Sequence, residues 1–215
     1  MDIPSFTFNL NPCQMSVKES QHKDTSTFDK QSFNSMNNKN GSQIISDRLM
    51  LRMLQMEDAD DLFRYRSNAA VNKYQGWIPK TLSDVHDFIA YKVSPEMNQP
   101  GTWAQWAIIE KETHQLIGDI GIHFLPLDLY QVELGCTLDI LHQGKGYATE
   151  ALTKTINYLF GELGKHRLTA SIDPRNQASI ALFERLGFRL KAHYPQSLFI
   201  NGEWVDDLVY ELMSW

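Results

Sequence analysis

Hydrophobic positions change period several times along the chain, and each change marks an element. Leu49, Leu51 and Met53 alternate with polar or long side chains, the period of a half-buried strand. Residues 57–66 carry acids at the start and arginines at the end, the charge order that a helix dipole favours. Gly76 and Pro79 make residues 72–80 a loop, and Ser83 is placed to cap a second helix running to about Val93. Residues 103–110 and 115–124 read as two strands joined by a short polar turn. In the next run, 132–140, Val132, Leu134, Cys136, Leu138 and Ile140 face one way and Glu133, Gly135, Thr137 and Asp139 the other. A glycine-bearing stretch at 142–147 leads at once into a helix. Its Ala148, Ala151, Leu152, Thr155, Ile156, Leu159, Phe160 and Leu163 form one apolar stripe, with Gly164 to end it. A strand at 167–172, a helix from Asn176 to Gly187 and a closing pair at 198–200 and 204–212, turning on Asn201 and Gly202, complete the order. About seven strands and about four helices in this order predict an α/β (α+β) domain with a mixed, mostly antiparallel sheet.

Composition sets the limits of that domain. With 215 residues, 42% of them hydrophobic, the chain can bury one substantial core and still have surplus. The surplus is expected at residues 1–44, where Asn, Ser and Lys leave little to bury. That stretch reads as a disordered or loosely docked extension, with Phe6, Phe8, Phe28 and Phe33 available for docking, and the folded domain as 45–215. A net charge of −6 argues against a nucleic-acid partner and would attract a basic one. Cys13 and Cys136 stand far apart, and no Cys/His pair has ligand spacing, so neither a disulfide nor a metal site is expected. No secretory start and no apolar run of ~20 residues is present, which makes a cytoplasmic location and no membrane partner the expectation.

The strand, Gly144-x-Gly146, helix arrangement is suited to phosphate, because glycines admit close approach and unpaired N–H groups point out of the helix start. Three readings of it compete. A Walker loop is absent, since Gly161 and Lys165 have the wrong spacing. A dinucleotide site would use Asp173 at the end of the next strand, but Thr149 stands at the third glycine position and the preceding strands are hairpin-like. A tight turn without a ligand is the third.

Gln143, Gly146 and Ala148, between a strand carrying Glu133-x-Gly135 and a helix, resemble the coenzyme A pyrophosphate loop of GCN5-related N-acetyltransferases (GNAT). Asn176, Ser179, Ile180, Leu182, Phe183, Glu184, Leu186, Gly187 and Phe188 resemble that family's closing helix, and residues 202–210 its final hairpin. The combination is most similar to the RimJ/RimL-like branch. The resemblance implies a GNAT fold and an acetyl-CoA-dependent transfer to a primary amine, at a protein N-terminus or on a small molecule, by direct attack in a ternary complex.

It also implies roles. The strand ending at Ile140 diverges from that at 167–172, and the pantetheine arm fills the gap. Main-chain N–H groups of Gly144, Lys145, Gly146, Tyr147, Ala148 and Thr149 hold the pyrophosphate, and the Lys145 side chain either adds charge to the phosphates or is solvated; one N–H among Leu138, Asp139 and Ile140 polarises the thioester oxygen. Glu133 is the candidate base, or else an ordinary paired strand carboxylate. Ser179 is the candidate acid, because Phe183 replaces the tyrosine many members use, or else a helix-start residue with local bonds. Asn176 contacts the cofactor, caps its helix, or does both. Leu198 replaces a glutamate that some members keep near the final hairpin. Tyr74, Gln75, Trp77, Glu203 and Trp204 are candidates for holding the acceptor, with core packing the rival role for the aromatics, and His123 reads as a structural partner. The alternatives of a non-catalytic acyl-CoA-binding module and of a dinucleotide-binding protein remain, as do a monomer and a homodimer.

Overall fold

The computed structural model describes residues 43–214; the extension expected at 1–44, with Cys13 and its phenylalanines, lies almost wholly outside them. The strands are β1 (Ile44–Ile45), β2 (Leu49–Met53), β3 (Thr102–Glu110), β4 (Leu116–Phe124), β5 (Gln131–Leu138), β6 (Arg167–Ile172), β7 (Arg189–Ile200) and β8 (Glu203–Met213). The helices are α1 (Ala59–Arg66), α2 (Leu82–Tyr91), α3 (Tyr147–Gly161) and α4 (Gln177–Arg185). One eight-stranded sheet runs in the order β1-β2-β3-β4-β5-β6-β8-β7. Every pairing is antiparallel except β5 with β6, across which α3 makes the crossover. A mixed, mostly antiparallel sheet with four helices is as expected, and a dinucleotide fold of repeated parallel crossovers is not what the chain forms. No helix among the described residues is long and apolar enough to cross a membrane.

Helices cover both faces. Leu152, Ile156 and Leu159 of α3 and Phe183 of α4 pack on Trp106, Ile120, Ile122, Val132 and Leu134, which forms the larger core. Leu62 and Tyr65 of α1 and Val85 of α2 pack on Ala107, Ile109 and Leu116 on the opposite face. Phe183 and Phe188 meet edge to face at 5.0 Å, so Phe183 is part of the core.

Five local details differ from the sequence expectation. β5 ends at Leu138, and Ile140, expected on the strand, opens a short 3-10 turn. β1 is only two residues long, too short to leave a periodic signal. α2 is capped by Thr81 rather than Ser83: the Thr81 hydroxyl accepts from Asp84 N–H while the Asp84 carboxylate accepts from Thr81 N–H, a reciprocal box for which Ser83 has no partner three residues on. α3 ends at Gly161, and Gly164 (φ 60°) serves the turn beyond it. β7 begins at Arg189 instead of 198; it is an edge strand, where Pro195 and Gln196 (φ 47°) are accommodated as a bulge.

Candidate active site at the divergence of β5 and β6

β5 and β6 pair only at Gln131 with Arg167, Val132 with Leu168, and Glu133 with Thr169. Beyond Glu133 the two strands part, although β5 runs on to Leu138 and β6 to Ile172. Asp139 donates its N–H to Ile117 O on β4 (2.8 Å). Since alternate residues of a strand turn their N–H and C=O groups to the same side, Cys136 and Leu138 turn theirs away from β4 and into the opening. A peptide edge buried beside a core and released by its neighbour needs a partner. Of the residues expected near the thioester, Asp139 is thereby engaged with β4, Leu138 faces the gap, and Ile140 lies past the end of β5 in the short turn Ile140–His142.

Each diverging strand leads directly into a helix start. After β5, Asp139 accepts from Leu141 N–H (3.1 Å) and pairs with Arg64, and the Gln143 side chain donates to Leu138 O (3.0 Å), which pins the loop to the strand. Gly144 (φ 73°) and Gly146 (φ 83°) take left-handed conformations, and a Cβ at Gly144 would meet open space. The first intrahelical bond of α3 runs from Glu150 N–H to Gly146 O (3.0 Å), so Tyr147, Ala148 and Thr149 have no intrahelical acceptor for theirs. The loop from Gln143 to Gly146 is exposed, and the first turn of α3 half-buried. After β6, Asn176 caps α4 by accepting from Ser179 N–H (3.2 Å), and Ser179 is half-buried in the first turn. Asn176 thus has the capping role, which does not occupy its amide N–H groups.

Glu133 sits where pairing ends, with its side chain on the α1/α2 face, as alternation requires. Its carboxylate is one-third exposed and lies 3.5 Å from Nδ1 of His123, its direct cross-strand neighbour on β4. The His123 ring stacks on Trp103 (centroids 4.5 Å apart, planes at 5°). Next along β5, Gly135 is exposed and a Cβ there would meet nothing within 4 Å, which leaves the strand open beside Glu133. Asp207 on β8 accepts from Ser171 Oγ of β6 (2.7 Å); burial foremost, with the negative charge of Glu133 adding to it, pushes its carboxyl above the usual range.

Below this face lies a buried network. Asp119 is fully buried and accepts from Tyr65 Oη (2.5 Å), from Arg66 Nε (3.0 Å) and Nη2 (2.5 Å), and from Gln105. Burial, reinforced by the Asp119 charge, raises the Tyr65 hydroxyl well above its ordinary range and pushes the Cys136 thiol up to about 12, so neither ionises near neutrality. Arg66 also reaches Gln75 (3.4 Å), which ties the α1–α2 loop to the network.

Three loops meet at the β6 side of the opening. Arg175 grips Asp173 (2.6 Å) and Glu203 (2.6 Å) and lies 5.9 Å from the Tyr74 ring centre. Asn201, at the hairpin tip, donates to Lys73 O (3.1 Å). Tyr74 and Glu203 are therefore brought together through Arg175. Trp77 instead stacks on Phe88 of α2 (4.3 Å) as part of the smaller core, so packing is its observed role. Trp204 packs on Phe199 (5.3 Å) and by alternation shares a side of β8 with Leu208 and Tyr210, opposite Asp207. Leu198 pairs with Val205. Sequence reasoning did not anticipate Asp119, Arg66, Arg175, Asp207 or the contact between His123 and Glu133; each depends on pairings between distant stretches.

Comparison with known proteins agrees with this geometry. The family model described as an acetyltransferase (GNAT) domain matches residues 48–189. The uncharacterised N-acetyltransferase p20 of Bacillus licheniformis is 32% identical over 172 residues, covering 80% of this chain and 96% of that protein. The [ribosomal protein uS5]-alanine N-acetyltransferase of Escherichia coli is 25% identical over 180 residues, covering 80% and 91%. A GNAT-family acetyltransferase structure from Bacillus anthracis superposes with a TM-score of 0.70 at 26% identity, covering 80% of this chain and 98% of that one. A parted parallel strand pair, a glycine loop opening the following helix and matches of this extent make the chain a member of the GNAT family of N-acetyltransferases.

Proposed function

We propose that the chain transfers the acetyl group of acetyl-CoA to a primary amine by direct attack within a ternary complex, through a catalytic unit spanning 45–215. The observation that carries this reading is the parting of β5 from β6 after Glu133, which leaves the N–H groups of Cys136 and Leu138 facing a gap. An extended pantetheine arm has the amides and carbonyls to complete such an edge, and the glycine loop supplies N–H groups for a diphosphate at its end. The residues present therefore fit the cofactor, which when bound supplies an activated acetyl thioester.

Gly144 to Thr149 hold the diphosphate through main-chain N–H groups, aided by the α3 dipole. Leu138 N–H, facing the gap, would polarise the thioester oxygen and stabilise charge developing there. Glu133 removes the proton that an alkyl ammonium, with a pKa near ~10, must lose before it can attack. His123 and the open strand at Gly135 leave room for that exchange. Ser179, at the start of α4, would give its proton to the departing thiolate and recover the one that the attacking nitrogen sheds on forming the amide, with Asn176 setting the helix start. Tyr74 and the loops joined by Arg175 wall the acceptor.

The test is release of free thiol from acetyl-CoA against a panel of amines: peptides with free N-termini, polyamines, aminoglycosides and amino-acid-like metabolites. Amine-dependent release with at least one class is expected. Tight CoA binding without release on any amine would leave an acyl-CoA-binding module and overturn the proposed transfer.

A further inference from the structure

The glycine loop is braced from behind by a residue far away in sequence. Arg48 lies in the turn between β1 and β2. Its Nε donates to Glu150 Oε2 (2.7 Å), its Nη1 donates to Lys145 O (3.0 Å), and its guanidinium lies 4.3 Å over the Tyr147 ring. Glu150, on the first turn of α3, also accepts from Arg48 N–H (2.9 Å) and Ser46 Oγ (2.7 Å). Tyr147 is anchored in turn by its hydroxyl bond to Glu110.

The bond to Lys145 O has a consequence for the opposite side of the loop. Lys145 C=O and Gly146 N–H belong to one planar trans peptide, in which they point in opposite directions. That peptide joins Lys145 to Gly146, and flipping it changes ψ of Lys145 and φ of Gly146; because Gly146 (φ 83°) tolerates either sign of φ, the backbone opposes the flip only weakly on that side. With the carbonyl held on the Arg48 side, Gly146 N–H is aimed away from Arg48, in the direction the α3 N-terminus needs for an anion. A flipped peptide would instead offer a carbonyl dipole of the wrong sign to a phosphate. Arg48 already faces Glu150, so its charge is largely matched, and geometry rather than attraction is what it supplies.

Resting on the cofactor reading above, we infer that Arg48 is a positioning residue for the diphosphate of the cofactor: it locks the 145–146 peptide so that the glycine loop presents N–H groups, and not a carbonyl, to the ligand. The effect belongs to the diphosphate alone. A ligand with the pantetheine arm but no diphosphate is indifferent to it.

The experiment is calorimetric titration of the full chain, wild type and R48M, with CoA and with pantetheine. R48M is expected to weaken CoA about tenfold, which corresponds to ~1.4 kcal/mol, and to leave pantetheine within about twofold. R48K keeps the charge but lacks the planar fork needed to reach Glu150 and Lys145 O together, so it should lose CoA affinity to a similar degree. R48K also serves if R48M does not fold. CoA affinity within about twofold of wild type in either variant would overturn the inference, as would an equal loss for both ligands, since that would mean general damage to the fold. A wild-type chain that binds pantetheine but not CoA, or neither, would remove the cofactor reading itself and the role of Arg48 with it.

Discussion

On the β5 side of the opening, the surface is a loop of main chain, Gly144 to Thr149, with the first turn of a helix behind it. On the β6 side it is a wall of side chains drawn from the α1–α2 loop, the β6–α4 turn and the closing hairpin, held together by Arg175 and Asn201. A diphosphate is the same in every reaction, so it can be gripped by peptide N–H groups, whose geometry depends on glycine at fixed positions and on the brace behind them. An acceptor differs from enzyme to enzyme, and a wall of side chains can be changed residue by residue without disturbing the sheet. The contrast also separates what must be buried. Asp119 and Arg66 lie under the proposed acceptor face with almost no exposure, whereas the glycine loop rests on the more exposed pair of Arg48 and Glu150.

Asp119→Ala is the most damaging way to probe that difference. It would strand the Arg66 guanidinium, Tyr65 hydroxyl and Gln105 amide in a site fully closed to solvent. Breaking a buried pair from one side costs about 3–5 kcal/mol, and urea unfolding should show a loss of that size. CoA affinity of the folded fraction should hold while the KM for amine rises, because Arg66 ties down the α1–α2 loop through Gln75. A loss below about 1 kcal/mol would mean that water replaces Asp119 and that the acceptor side has no rigid floor.

Glu133→Gln tests whether chemistry resides on the acceptor side. Turnover should fall by ~10²-fold or more with CoA affinity nearly unchanged, since the amide keeps the shape of the carboxylate but cannot take a proton. Unchanged turnover from pH 6 to 9 would remove Glu133 from the mechanism and leave a water chain as the base.

The cofactor side makes the opposite demand. Gly146→Val places a β-branched residue at φ 83°, a left-handed conformation that costs such residues on the order of 1–3 kcal/mol. CoA affinity should drop about tenfold or more. Lys145→Ala, at an exposed position of the same loop, should change it by no more than about threefold. The reverse order would show that side-chain charge, and not the peptide backbone, holds the diphosphate.

The same contrast explains how much was legible in the sequence. Recognition by main chain leaves a local mark, so Gln143, Gly144 and Gly146 between a strand and an apolar-striped helix could be read directly, as could the alternation that exposes Glu133. The wall left no such mark. Arg66 and Asp119 are 53 residues apart, Arg175 and Glu203 28, and Arg48 and Glu150 102, and nothing in composition says which of many charged residues will meet. Aromatic clustering near Trp77 was visible, but only the position of Phe88 shows that the ring faces the core. The early start of β7 was hidden by a proline that an interior strand would not tolerate and an edge strand can.

The smallest expected effect concerns carboxylates on the two sides. On the cofactor side, burial works to raise Glu150 and Asp139, but hydrogen bonds outweigh it: Ser46 and Arg48 hold Glu150 low, and Leu141 N–H with Arg64 holds Asp139 low. On the acceptor side, Asp207 is raised by burial first and by the Glu133 charge second, against the Ser171 hydroxyl. The signs therefore oppose. Depressed carboxylates contribute stability that is present above their unfolded values, near ~4, and lost as pH falls through the folded ones. A raised carboxyl binds its proton more tightly in the folded state, so its contribution declines as pH rises from ~4 through the folded value and stays low above it. Asp207→Asn keeps an oxygen for Ser171 and removes the charge. Its thermal midpoint should exceed that of wild type at pH 8, and the advantage should shrink as pH is lowered towards ~4.5. Melting curves across that range decide the matter. A variant less stable at pH 8, or a difference independent of pH, would show that Asp207 is no more strained than its counterparts beside the glycine loop, and that the two sides differ in geometry but not in electrostatics.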